Sequence, residues 1–466
     1  MHKFCFIFFH LFVLINRGLF QSSSLILQFE TNYPTKMNPD NYFESKFINE
    51  PKINLKIGTH RQSIPCYLNI NTQTMYISGS NSDLIETQPK YEEFKSSNYK
   101  NLSNKITSES FYVSGIPSID EICLNNEIIT QLKFYLAKTK FSENELSYSC
   151  VLGLGYEEML YNDDDDDGEM KGIESFITQM KKNNIISDKI FFIRYNNEND
   201  NGEIIFGAYP HEIKNKYCKS CNENDYIEME HPVNEIEVIW SVKGYVYSGE
   251  DKIFNYLSPI LLELNQGFII GSYNYKLKIE KNFFNEKISK NDCFMREIYI
   301  QTNFYDGYYC KKSVDVTKFE NLTIVIDKIS YTIEFLYKDL FTENDDYVYF
   351  NVLFTQEEDT LKNSFILGKP FFKKYPVVFN VNRKKEKIGF YNNLFIAEEN
   401  GNHIIHNNDN NNSNKYNKLT FILIIIGICI LGLLIYIIVK YFKKPIKQKV
   451  NELIEFFDYS SVQQKF

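Results

Sequence analysis

From Lys52 to Asn393 the sequence has almost no helical period. Short runs rich in Ile, Val, Phe and Tyr recur instead, broken by Asn, Asp, Gly and Ser. Phe191–Tyr195, Glu203–Phe206, Ile236–Tyr247 and Leu322–Phe335 are examples. A stretch of about 340 residues patterned this way reads as an all-β body. One helix is expected, over Glu174–Lys182, where Phe176, Ile177 and Met180 share a side. The acidic run Asp163–Asp167 reads as a solvated surface insertion, since adjacent Asp residues lack the alternate-position spacing of a calcium loop.

The two ends carry different signals. Residues 1–24 open with Lys3, run apolar from Phe4 to Ile15 apart from His10, and close on Ser22–Ser24, the layout of a secretory signal peptide. Leu419–Val439 is 21 residues without a charge, long enough to cross about 30 Å of hydrocarbon. Lys440, Lys443, Lys444, Lys447 and Lys449 follow it, so the tail 440–466 is expected in the cytosol. Residues 396–418 are Asn-rich and aperiodic and read as a stalk. The expected localisation is the secretory pathway or cell surface, as a single-pass type I membrane protein anchored by Leu419–Val439. The net charge of −9 excludes a strongly basic nucleic-acid binder, and 39 Phe with 34 Tyr exclude a disordered chain.

Nine cysteines are present. Setting aside Cys5 in the leader and Cys429 in the span leaves Cys66, Cys123, Cys150, Cys218, Cys221, Cys293 and Cys310 in an oxidising compartment. That number is odd, so at least one thiol stays unpaired or pairs elsewhere. Cys218-Lys219-Ser220-Cys221 lacks the two further ligands of a zinc site and reads as a small loop disulfide or surface thiols. The seven His show no metal spacing, and no cofactor or metal is expected. Asn101, Asn321 and Asn411 open N-glycosylation sequons.

Several segments follow one another in a telling order. Ile57-Gly58-Thr59 precedes YLNINTQTMYIS, then Val151-Leu152-Gly153, then SFITQMKKNNIISDKIFF, NGEIIFGA and Ile239-Trp240-Ser241-Val242. Phe365–Tyr391 closes the series with FILGKPFFKKYPVVFNVNRKKEKIGFY. This order resembles the pepsin family of aspartic peptidases. The resemblance implies a bilobal all-β fold, two β-barrel-like lobes at 50–230 and 231–395, with a peptide-binding cleft between them and residues 25–49 as an N-terminal extension. It also implies that each lobe supplies a hydrophobic-hydrophobic-Asp-Thr/Ser-Gly loop, crossed by a hydrophobic-hydrophobic-Gly segment. The crossing segments are intact as Val151-Leu152-Gly153 and Ile366-Leu367-Gly368; the loops are not.

Alignment without gaps from Gly58 puts Asn69 where the family's first aspartate stands, and Met75-Tyr76-Ile77 on its Leu-Trp-Val, so Tyr76 replaces a tryptophan. A two-residue shift would bring Asn71-Thr72 there, still without an acid. The second loop is aligned on Glu263-Leu264-Asn265-Gln266-Gly267, which puts Asn265 in the second aspartate position and keeps only Gly267. Ile70 or Gln266 then follows in place of a hydroxyl residue. The family's flap Tyr-Gly falls on Ser108 and Glu109. In that family two carboxylates share one proton, one acting as base toward water and the other as acid. An asparagine amide has nearly the same shape but no proton to cycle. The expectation is a membrane-anchored aspartic peptidase homologue without proteolysis, whose partner is a peptide or protein. The rival is a working endopeptidase with its pair elsewhere, for which Asp83, Asp120 and Glu263 are the candidates, each otherwise read as a surface charge.

Overall fold

The computed structural model describes residues 24–31, 41–82, 89–103, 107–108, 113–140, 148–155, 173–196, 200–213, 223–230, 239–300, 303–344, 346–355, 363–382 and 386–391. Three sheets make up the described body. An eight-stranded sheet is drawn from residues 52–153, and a twelve-stranded sheet from residues 241–367. A six-stranded sheet takes strands from both halves of the chain: Leu25–Phe29, Gly202–Phe206, Ile190–Tyr195, Val378–Asn380, Lys387–Tyr391 and Tyr226–Glu230, in that order.

The strands follow the apolar runs. Leu322–Phe335 is two strands, Leu322–Ile326 and Tyr331–Phe335, paired antiparallel. Ile324 and Ile333 face each other across that ladder, both fully buried. Lys328 and Ser330 take positive φ in the turn between them, which only a tight reversal requires. The one expected helix forms over Phe176–Lys182, with the Ser175 side chain accepting from Thr178 N at its start. Its Phe176, Ile177 and Met180 enter the main core.

The two larger sheets repeat one arrangement. In the first, Gln62–Asn69 runs parallel to the crossing strand Cys150–Gly153, which runs antiparallel to Tyr76–Ser78, itself parallel to Ile129–Lys140. In the second, Ser258–Leu262 runs parallel to Phe365–Leu367, which is antiparallel to Ile269–Gly271, itself parallel to Val352–Thr355. A strand–loop–strand unit with a third strand laid between its arms therefore occurs twice. Each loop is pressed from beneath by the glycine that ends the crossing strand. A Cβ on Gly153 would overlap the Thr72 and Thr74 carbonyls, and one on Gly368 the Gln266 and Phe268 carbonyls. That close approach is why both positions are glycine.

Disulfides join Cys66 to Cys150 and Cys293 to Cys310, while Cys123 is a buried free thiol. Cys218 and Cys221, residues 1–23 of the leader, the stalk, Asn411 and Leu419–Val439 lie outside the described residues, as do Asp83 and Glu109. Among the described residues no helix is long and apolar enough to cross a membrane.

Candidate functional site

The repeated unit fixes which residues correspond. In the first, Leu68 sits opposite Leu152 and Asn69 opposite Gly153. In the second, Leu262 sits opposite Leu367, so Glu263 is the residue level with Gly368. Thr72 and Thr74 press on one crossing glycine as Gln266 and Phe268 press on the other. The counterpart of Asn69 is therefore Glu263, and the counterpart of Asn71 is Asn265. The sequence alignment had paired Asn69 with Asn265; the register moves that pairing by two residues.

Hydrogen bonds obey the same correspondence. Asn71 N donates to Asn69 Oδ1 at 2.8 Å, and Asn265 N donates to Glu263 Oε1 at 3.1 Å. Across the pair, Asn265 Nδ2 donates to Leu68 O at 3.0 Å and Asn71 Nδ2 reaches Leu262 O at 3.5 Å. Each loop thus hands an amide to the carbonyl just ahead of the other's central residue. Ile70 and Leu264, which directly follow Asn69 and Glu263, are fully buried and have no polar group to contribute. The bonds across the pair come from the next residue along in both loops.

The symmetry breaks at the centre. Asn71 Nδ2 also donates to Glu263 Oε2 at 2.6 Å, and its Oδ1 accepts from Trp240 N at 3.2 Å. Glu263 therefore holds one hydrogen bond on each oxygen, both from uncharged donors. Burial pushes its carboxyl above the usual range, and the bonds from Asn265 N and Asn71 oppose that shift only in part. Asn69, Asn71, Glu263 and Asn265 all keep some exposure while Leu68, Ile70, Leu262 and Leu264 are buried. The four polar side chains form a partly buried floor, in which Asn265 Oδ1 is buried without a hydrogen-bond partner among the described residues. Asn69 Nδ2 makes no hydrogen bond among the described residues.

Sequence reasoning passed over two of these groups. In the sequence Asn71 is visible only through a shifted alignment, and Glu263 reads as a surface charge. Glu263 is instead held within the floor. Asp120 is also not a surface charge: it is fully buried, accepting from Tyr91 OH, Ser96 Oγ and Glu121 N. It stays inside the first sheet as a structural acceptor. Tyr76 is 5% exposed and stacks on Tyr135 with ring centroids 5.7 Å apart. Ser108 lies in the short strand Thr107–Ser108, paired with Ser114.

The second loop has a neighbour that the first lacks. The helix Tyr42–Phe47 drives Tyr42, Phe43 and Phe47 into a cluster with Phe268, Ile270, Tyr305, Tyr349 and Leu353. Tyr42 stacks on Tyr349 at 3.7 Å. The chain then runs along the loop: Gly267 N donates to Phe47 O at 2.7 Å and Asn49 N to Asn265 O at 2.8 Å. A Cβ on Gly267 would overlap Lys46 O, so this glycine makes room for the end of the helix and the chain that leaves it. Asn49, wholly buried, donates to Tyr195 OH and Leu264 O.

A family model, eukaryotic aspartyl protease, matches residues 52–392 and so covers both loops and both crossing strands. The chain belongs to the eukaryotic aspartyl protease family. No curated protein matches it. Membership explains the doubled unit and the two crossing glycines. Against that background the floor of this chain is asymmetric, with a carboxylate, Glu263, and an amide, Asn69, at corresponding positions and both bonded to Asn71. Among the described residues no group of three or more His, Cys, Asp or Glu could hold a metal ion.

Proposed function

We propose that this aspartyl protease homologue binds an extended peptide on the floor between its two loops and does not carry out the two-carboxylate reaction. The supporting observation is the Asn69–Glu263 pair. A shared proton needs two carboxylates close together, and the counterpart of Glu263 is an amide that neither ionises nor accepts a proton near neutral pH. What the floor retains is a set of donors and acceptors suited to a peptide backbone. Asn69 Nδ2 is open as a donor, and each Glu263 oxygen has lone-pair capacity beyond its single bond. The test is a titration of the purified protein with extended peptides, alongside a cleavage assay at acidic pH. Binding without pepstatin-sensitive cleavage is expected; pepstatin-sensitive hydrolysis at acidic pH would refute the reading.

The setting we propose is a luminal or extracellular body on a single span, Leu419–Val439, with a leader at 1–24 and a lysine-rich tail in the cytosol. Two disulfides in the body suit an oxidising compartment. Asn101 is exposed and Asn321 partly so, which leaves both open to a glycan. In sealed vesicles, a tail epitope should be digested only by protease on the cytosolic face, and loss of the epitope to luminal protease would reverse the orientation.

A further inference from the structure

We propose that Glu263 and Asn69 together form a one-carboxylate hydrolytic centre, Glu263 as the general base and acid and the Asn69 amide as the oxyanion donor, acting on a peptide bond of the bound extended peptide. This rests on the peptide-binding reading of the same floor.

The geometry assigns the two roles. Asn69 and Glu263 stand at corresponding positions of the repeated unit, and each spends one side-chain atom on a corresponding backbone N–H. Asn69 Oδ1 and both Glu263 oxygens each accept one hydrogen bond. What remains is Asn69 Nδ2, a donor, and the further lone pairs of the Glu263 oxygens, which are acceptors, so the two side chains differ in kind. Asn71 links the two side chains, giving its backbone N–H to Asn69 and its side-chain N–H to Glu263. That link engages Asn69 Oδ1 and leaves Asn69 Nδ2 without a hydrogen bond among the described residues. A symmetric pair of carboxylates has no such division and depends on a proton to create it. Here the division is built into the residue types.

The step balances without any other reagent. Glu263 Oε2 takes a proton from an incoming water as the water oxygen bonds to the peptide carbonyl carbon. The carbonyl π pair moves onto its oxygen, and Asn69 Nδ2–H donates to that oxyanion. Protonated Glu263 then gives its proton to the peptide nitrogen. The C–N bond breaks with its pair on nitrogen, the C=O bond re-forms, and Glu263 is again a carboxylate. The products are a carboxylic acid and an amine. A Glu263 carboxyl raised above the ordinary range is a stronger base than a typical glutamate, but it works only once ionised. Activity should therefore rise with pH through and above the usual glutamate range. A shared-proton pair behaves in the opposite way, losing activity once both carboxylates ionise.

The experiment uses the full chain in detergent and a pool of internally quenched extended peptides, with cleavage and binding read in parallel over pH. Slow cleavage that increases with pH is expected. Glu263→Gln should lower kcat by about 10²-fold or more, the usual scale for loss of a general base. Asn69→Ala should lower kcat about 10²-fold with KM little changed, as for a donor used only in the transition state. Asn69→Asp should move the pH optimum toward acid, because two carboxylates then share the floor. Peptide binding with no cleavage above the Glu263→Gln level at any pH overturns this inference and leaves the binding reading standing. Failure of the peptides to bind overturns both. Cleavage with an acid optimum in the unaltered chain overturns the assigned roles even if every variant misfolds.

Discussion

The two strand–loop–strand units share a backbone plan but are stabilised differently. In the first, Cys66 and Cys150 are joined across the loop strand and the crossing strand, one register step before Tyr67 and Val151. At the corresponding place the second has Ile260 opposite Phe365, both fully buried. After the crossing glycine the first continues with buried Leu154, the second with Lys369, whose ammonium pairs with Asp200 at 2.7 Å. Where the first loop has Gln73, the second has Gly267 and the segment 46–49 laid against it. One unit is held covalently; the other is held by packing and by a segment from the N-terminal side. The features common to both are the crossing glycines and the amides Asn71 and Asn265. Conservation of geometry within the chain thus sits in backbone approach and reciprocal hydrogen bonds, while the chemistry at the centre is free to diverge into Asn69 and Glu263.

The comparison can be broken at several depths. Gly153→Ala and Gly368→Ala should be the most damaging and about equally so, since each Cβ meets two backbone carbonyls that cannot move aside. A loss of more than about 3 kcal/mol is expected, read by denaturant unfolding or as failure to fold. A marked inequality would show that the two units are not mechanically equivalent. Replacing both Cys66 and Cys150 with Ala should cost about 3–4 kcal/mol, since the bond closes a loop with a sequence separation of 84. A midpoint shift much smaller than that would show that packing alone holds the first unit, as it does the second.

Gly267→Ala separates the units most cleanly. It should expel Lys46 O and loosen residues 42–49 at a cost of about 1–3 kcal/mol. Hydrogen exchange at Phe47 to Asn49 should speed up, whereas Gln73→Ala should leave exchange in the first loop unchanged. The smallest effect is expected at Asp200, which Lys369 and Lys373 both reach at 2.7 Å. Burial would raise its carboxyl, but the two lysines outweigh that and bring it down to about 2. A depressed carboxyl contributes stability above its ordinary pKa and loses it as pH falls through the folded value. Asp200→Asn should therefore cost about 1 kcal/mol at neutral pH, a figure discounted for the part of the side chain left in water, and the difference should vanish on strong acidification. An effect that grows on acidification would have the wrong sign for this pair.

Much of the body was legible in the sequence because its signals are local. Val151-Leu152-Gly153 and Ile366-Leu367-Gly368 are short, apolar and glycine-ended, and they mark the crossing strands directly. The Ser175-capped helix and the strands at 190–195 and 202–206 fell where periodicity put them. The candidate site was half legible. Asn69 could be counted from Gly58 through a segment without insertions. The second loop could not, because its glycine, Gly267, was taken for the glycine of the family's loop when it serves instead to admit Lys46. That misreading moved the centre from Glu263 to Asn265.

The sequence by itself determined the β character of the body, the two crossing glycines, and the amide at Asn69, since each depends on a residue and its immediate neighbours. Only the tertiary structure decided that Glu263 is the partner of Asn69, that Asn71 and Asn265 bridge the two loops, and that the Tyr42–Phe47 segment lies along one loop alone. The pairing of the two loops depends on register between strands about a hundred residues apart within each half of the chain. A shift of two residues keeps every side chain on the same face, so apolar alternation cannot detect it; hydrogen bonds and the fit of a carbonyl over a glycine can.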